Sequence, residues 1–320
     1  MKTMKWLIRR ELWEHKGMLV WVPAAIAGLI AALALAATFL NQHMSLNGEA
    51  LSPQNIIVTI EGETRIRIVD TLAQGYAISA APVYMVLGFL VFFYCLGALN
   101  DERRDRSILF WKSLPVSDLT TVASKALVAL VVAPLIVIGI ALAMSLLLLL
   151  AVCVKVALHG TNLFGELLMT PDLYLTPLRV LALLPVYILW ALPTVGWLLM
   201  ISSMVRSKVF LWAVGIPVVA GLVLLWAEKA LGFAVNAPWL ISNVLNRLLL
   251  GVVPGSWLGF TPRVAQLADD HADHVTNGVA AAIFSESWAS LAQPQLWLGV
   301  AAGIAMLAVA VRMRRRREEG

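Results

Sequence analysis

Long apolar runs separated by short charged segments dominate the chain. A helix needs about 20 mostly apolar residues to cross a hydrocarbon core of roughly 30 Å, and six runs qualify: residues 18–40, 76–99, 126–154, 178–203, 209–227 and 294–311. None contains Asp, Glu or Lys, and the one Arg is Arg179, at an edge. A seventh stretch, Trp239 to Val253, is shorter and carries Asn243, Asn246 and Arg247. Its Leu240, Ile241, Val244, Leu245 and Leu248 recur at helical spacing, which predicts an amphipathic helix lying on the outer leaflet or dipping into it. Residues 55–69 alternate around Glu61-Gly62-Glu63, the pattern of a small hairpin. After the breakers Pro254, Gly255, Gly259 and Pro262, a helical stretch is expected near Val279 to Leu291.

The segments between the runs set the orientation. Residues 1–17, 100–125, 204–208 and 312–320 hold 5, 5, 2 and 5 Lys and Arg, against 2, 2 and 3 in residues 41–75, 155–179 and 228–293. Basic residues stay on the cytoplasmic side, so the first set is expected inside together with both termini, which requires an even number of spans. The predicted fold is therefore all-α: one integral membrane domain of six transmembrane helices over residues 1–320. It has an interfacial helix at 1–17, a cytoplasmic loop at 100–125 and external segments at 41–75 and 228–293.

Composition narrows the function classes. With 60% hydrophobic and 13% charged residues and a mean hydropathy of +0.84, against about 45–50% and about 25% in soluble domains, a water-soluble globule and a disordered chain are both excluded. The net charge of +5 divides into a basic inner and an acidic outer side, so it reflects topology and anionic lipid and calls for no nucleic acid. The apolar run from Met18 to Leu40 is too long for the core of a cleaved signal and reads as a first span. Cys95 and Cys153 fall near opposite ends of their spans and are not expected to pair.

Candidate chemistry is sparse. Proton relays and cation sites in membranes use buried carboxylates, His or Lys, and the spans offer none. Tyr84, Tyr94, Tyr187, Thr194 and Ser145 are their most polar side chains, read as helix packing. Asp270, His271 and His274 share a face if helical and form a candidate metal set, with a solvated loop as the plainer reading. Ala24, Gly28, Ala32 and Ala36 form a small-residue strip in the first run, and Gly299 with Gly303 repeats it in the last. Such strips admit close helix contact, within the chain or in a dimer.

The loop at 100–125 is the most specific feature. Glu102-Arg103-Arg104-Asp105-Arg106 precedes Ser107-Ile108-Leu109-Phe110-Trp111-Lys112-Ser113-Leu114-Pro115-Val116-Ser117, with Lys125 following. Ser107 can cap a helix that Pro115 ends, and its apolar face needs a partner, either the bilayer surface or another protein's groove. This stretch resembles the loop of type 2 ATP-binding-cassette (ABC) exporter permeases, with Arg106-Ser107-Ile108 in place of the family's Gly-Thr-Leu-like start. The basic N-terminal helix with Trp6 and Trp13, the six spans and the external segment agree with the family plan.

The resemblance implies a permease subunit in a bacterial inner membrane, dimeric (homo- or heterodimer), without catalytic residues of its own. It would couple ATP hydrolysis by two copies of a separate cytoplasmic ATPase, which holds ATP and Mg, to export of an amphiphilic, lipid-like, peptide or drug cargo. Ile108, Leu109, Phe110 and Trp111 would be the apolar plug, beginning at Ser107, with Glu102, Arg103, Arg104 and Lys112 as rim contacts. The chain lacks a Walker A loop, G-x-x-x-x-G-K-[ST]. A sodium exporter subunit, an ion-coupled secondary carrier and a non-transporting membrane scaffold are the competing readings.

Overall fold

The computed structural model describes residues 2–40, 44–46, 49–51, 63–105, 116–158, 160–232, 236–260 and 279–316. Within them six helices are long and apolar enough to cross a membrane: α1 Gly17–Leu40, α2 Ile68–Arg104, α3 Asp118–Leu158, α4 Asp172–Met204, α5 Val209–Leu231 and α6 Pro294–Arg315. They coincide with the six predicted runs and extend several of them. An N-terminal helix, Lys2–Glu14, precedes α1, and Met44–Leu46 pairs antiparallel with Glu49–Leu51 in a short ladder.

Helices α2 and α4 form the centre, where Leu87, Tyr94, Trp190 and Leu198 are buried. The third helix lies against α2 and carries α1 on its other side, α6 lies along α4, and α5 sits at the periphery. Two wide helical turns precede prolines. Proline lacks an N–H and its ring meets the carbonyl four residues back. Just before Pro23 and Pro134 the chain opens into π-helical turns at Gly17–Trp21 and Val128–Val132. The crossing of α4 and α6 depends on two glycines: a Cβ on Gly196 would lie 2.6 Å from the Gly303 carbonyl oxygen, and one on Gly303 would lie 2.9 Å from that of Leu192.

One expectation changes and two gain detail. The hairpin at 55–69 falls partly outside the described residues, and from Glu63 the chain is helical to Gly75. Val69, Ala73 and Tyr76, buried at spacings of four and three, pack on Leu149, Cys153 and Val156 of α3, so a helical period takes over from the brief alternation. Arg65 donates to Glu166 at 2.8 Å and pins this helix to the short helix Phe164–Met169.

Second, the predicted amphipathic helix is present over residues 237–250, with Trp239, Val244 and Leu250 exposed and its opposite side packed against the bundle. There the Tyr187 hydroxyl donates to the Val252 carbonyl at 3.1 Å and Thr194 to that of Arg247 at 2.7 Å. Arg247 is 6% exposed, its guanidinium 4.3 Å from the Trp190 ring, and a Cβ at Gly299 would collide with it. Third, Gly299 and Gly303 are thereby accounted for inside the chain. The Gly28, Ala32 and Ala36 strip faces outward on α1, with Ala24 half-buried and nothing within 4 Å of a Cβ at Gly28. The predicted helical stretch is present as Val279–Ala289.

Candidate functional site

Charged side chains from four distant segments meet at one end of the bundle. The N-terminal helix supplies Glu11, the end of α2 Glu102, the start of α3 Asp118 and Lys125, and the end of α6 Arg314. Lys125 Nζ lies 2.8 Å from Glu11 Oε1 and 3.1 Å from Glu102 Oε1. Arg314 lies 2.9 Å from Glu102 Oε2 through one terminal nitrogen and 3.0 Å from Asp118 Oδ1 through Nε. Arg10 approaches Glu102 at 3.6 Å, and the Tyr94 hydroxyl donates to Glu11 Oε2 at 3.0 Å. Glu11, Glu102 and Lys125 are each less than 5% exposed. With Glu14, 3.2 Å from Arg10, and Arg315, 4.0 Å from Asp118, four carboxylates face four cations, so the charges balance, which is the condition for holding ions out of water. Both terminal segments therefore reach the same end.

The local chain explains why these groups converge. Ser117 caps the start of α3 by accepting from Thr120 N–H at 3.2 Å, which fixes Asp118 in the first turn and carries Lys125 two turns on. The end of α2 is tied to the end of α4. Ser202 Oγ donates to Leu96 O at 2.8 Å and accepts from the N–H groups of Leu99 and Asn100. Arg103 donates to the carbonyls of Ser203 at 2.9 Å, Val205 at 3.0 Å and also Ser202, satisfying the orphan acceptors of a helix C-terminus.

Of the loop residues assigned to an ATPase contact, Ser107, Ile108, Leu109, Phe110, Trp111 and Lys112 lie outside the described residues. Glu102 is not a rim group: it is an internal partner of Lys125 and Arg314, because the low dielectric favours neutralising it within the chain. Arg103 is committed to α4, and Arg104 is exposed. The candidate metal residues Asp270, His271 and His274 also lie outside the described residues. Sequence reasoning missed Glu11, Asp118 and Arg314. The available signal was the presence of acids within basic segments: Glu11 and Glu14 in residues 1–17, and Asp101, Glu102, Asp105 and Asp118 in residues 100–125.

A separate cavity of about 380 Å³ opens between α2, α3, α4 and residues 254–258 and 283–284. Met85, Ile138, Leu183 and Phe284 make its walls apolar, and Arg179, 3.2 Å from Asp172, stands at its edge. The Tyr84 hydroxyl is buried, Tyr84 lines this cavity, and among the described residues the hydroxyl has no hydrogen-bond partner. Its size and apolar walls suit a small apolar or amphiphilic molecule.

No family model, no curated protein and no solved structure matches the chain.

Proposed function

We propose that the chain is the permease subunit of a type 2 ABC exporter, acting as a dimer in a bacterial inner membrane and driven by a separate ATPase. The observation that carries this reading is the buried charge cluster. It fixes the chain on both sides of residues 106–115, through Glu102 before them and Asp118 and Lys125 after them. The apolar segment Ile108 to Trp111, which resembles the family's coupling helix, thus sits between two anchored points. A displacement imposed on it by ATPase closure passes into α2 and α3 directly, into α6 through Arg314, and into the N-terminal helix through Glu11. Salt-bridge networks are among the contacts through which coupling between distant sites is carried.

The basic end of the bundle would face the cytoplasm, in keeping with the distribution of Lys and Arg. The apolar cavity at Tyr84 favours an apolar or amphiphilic cargo over a bare ion. The buried carboxylates Glu11 and Glu102 are held by Lys125 and Arg314, which suits a structural link better than the titrating relay of a secondary carrier.

The experiment is co-purification. The tagged chain, extracted from native membranes, is expected to bring with it a separate protein that carries a Walker A loop and hydrolyses ATP. Phe110→Ala with Trp111→Ala is expected to lose that protein while the chain still inserts. ATPase binding at full strength in the double variant refutes the coupling assignment.

A further inference from the structure

The far end of α6, about 25–30 Å from the charge cluster at 1.5 Å per residue, holds a buried cation, Arg247, that has no anion among the described residues. Arg247 is 6% exposed, and it donates to the carbonyls of Gln295 at 2.7 Å and Leu296 at 3.2 Å. These two bonds leave most of the guanidinium's N–H donors unspent, Nε–H among them. Among the described residues no carboxylate pairs with it, in contrast to Lys125 and Arg314. Burial pushes its pKa down to about 10, so the positive charge persists at neutral pH. A buried guanidinium facing only carbonyls and an aromatic ring is costly without a counter-ion.

The surroundings supply room for one. A cavity of about 590 Å³ is lined by Arg247 together with Ser256, Asn243, Asn246, Leu250 and Val253. Ser256 Oγ, like Arg247 Nε, is a buried polar atom without a partner among the described residues. The lining thus combines the Arg247 guanidinium and the Ser256 hydroxyl with the neutral amides of Asn243 and Asn246 and the apolar side chains of Leu250 and Val253. A single oxyanion would fill only a small part of this volume, so the anion is expected to carry substituents. Uncharged amides suit hydroxyls, and the apolar side chains suit a hydrocarbon.

We propose that this cavity binds the phosphate group of an amphiphile, with Arg247 as counter-cation and Ser256 as a second donor. A phospholipid headgroup and a soluble phosphate share this chemistry. The site is independent of the exporter reading, since it uses none of the residues of the charge cluster or of the coupling loop.

The test uses the full chain purified in detergent and stripped of lipid, with three probes: dioctanoyl phosphatidylglycerol, dioctanoyl glycerol and inorganic phosphate. Binding is read by native mass spectrometry and by the rise in unfolding temperature with ligand concentration. Phosphatidylglycerol is expected to bind saturably and dioctanoyl glycerol not to. Ser256→Ala is expected to weaken binding about ten- to 150-fold, the loss of one hydrogen bond to a charged group, and Arg247→Gln to abolish it. Arg247→Lys keeps the charge but loses the fork, so a weakening there serves if the Gln variant does not fold. Displacement of the lipid by inorganic phosphate supports a site that reads the phosphate alone. Binding of the lipid without that displacement supports a headgroup site. The proposal is overturned if neither phosphate probe binds saturably, or if affinity is the same in Ser256→Ala and Arg247→Lys as in the parent chain.

Discussion

Lys125→Met tests whether the charge cluster holds the bundle together. Lys125 is the cation between Glu11 and Glu102, at 2.8 and 3.1 Å. Its removal does not affect the two carboxylates equally. Glu102 keeps Arg314 at 2.9 Å, whereas Glu11 is left with the Tyr94 hydroxyl and with His15 at 3.8 Å. Glu11 is 2% exposed, so the variant strands a buried carboxylate, a change that typically costs about 3–5 kcal/mol. Adding Glu11→Gln removes the stranded charge and should recover part of the loss, giving a coupling energy of roughly 1–3 kcal/mol between the two positions. The measurement is unfolding of the purified chain in mixed micelles by added sodium dodecyl sulfate, followed by tryptophan fluorescence, for the parent, both single variants and the double. The reasoning fails if Lys125→Met costs less than about 1 kcal/mol. It also fails if the two changes add to within about 0.5 kcal/mol, the behaviour of independent sites.

Two further outcomes follow from packing. Gly303→Ala places a methyl 2.9 Å from the Leu192 carbonyl oxygen, where backbone cannot yield easily. It should cost about 1–3 kcal/mol, whereas Gly28→Ala, with open space around it, should leave stability unchanged or raise it by up to about 1 kcal/mol; equal shifts in melting temperature would contradict the described α4–α6 crossing. Tyr84→Phe removes a buried hydroxyl that has no partner among the described residues, so it should be neutral or stabilising by about 1 kcal/mol while changing the affinity of the cavity for amphiphiles. A clear destabilisation would mean that the hydroxyl is bonded.

The six long helices were legible because an unbroken apolar run is the strongest signal a sequence carries. The ends were less so: α3 runs to Leu158 and α4 begins at Asp172, since helix continues past the hydrophobic stretch wherever backbone bonding remains favourable. Residues 63–69 looked like a strand because Ile66 and Ile68 alternate with polar neighbours, while the positions that decide their structure, Ala73 and Tyr76, lie farther along. Arg247 looked like the polar face of a surface helix, since no local pattern announces that Gly299 has cleared space for it on another helix. The charge cluster was hidden for a related reason. Lys125 and Arg314 count toward the distribution of basic residues whether they face water or a buried carboxylate, and only the fold separates the two uses.

The pairing of Glu102 with Arg314 spans 212 residues of sequence, which bears on how the protein is made. Synthesis at about 5–20 residues per second separates the appearance of these two groups by roughly 10–40 s. During that interval Glu11, Glu14, Glu102 and Asp118 have only Lys125 and Arg10 as cations among the cluster's members, and the carboxylates are in excess. The last helix to emerge brings the missing charges. Charge balance at the foot of the helices made first therefore waits on α6, and a chain stalled before it should present an unbalanced acidic cluster.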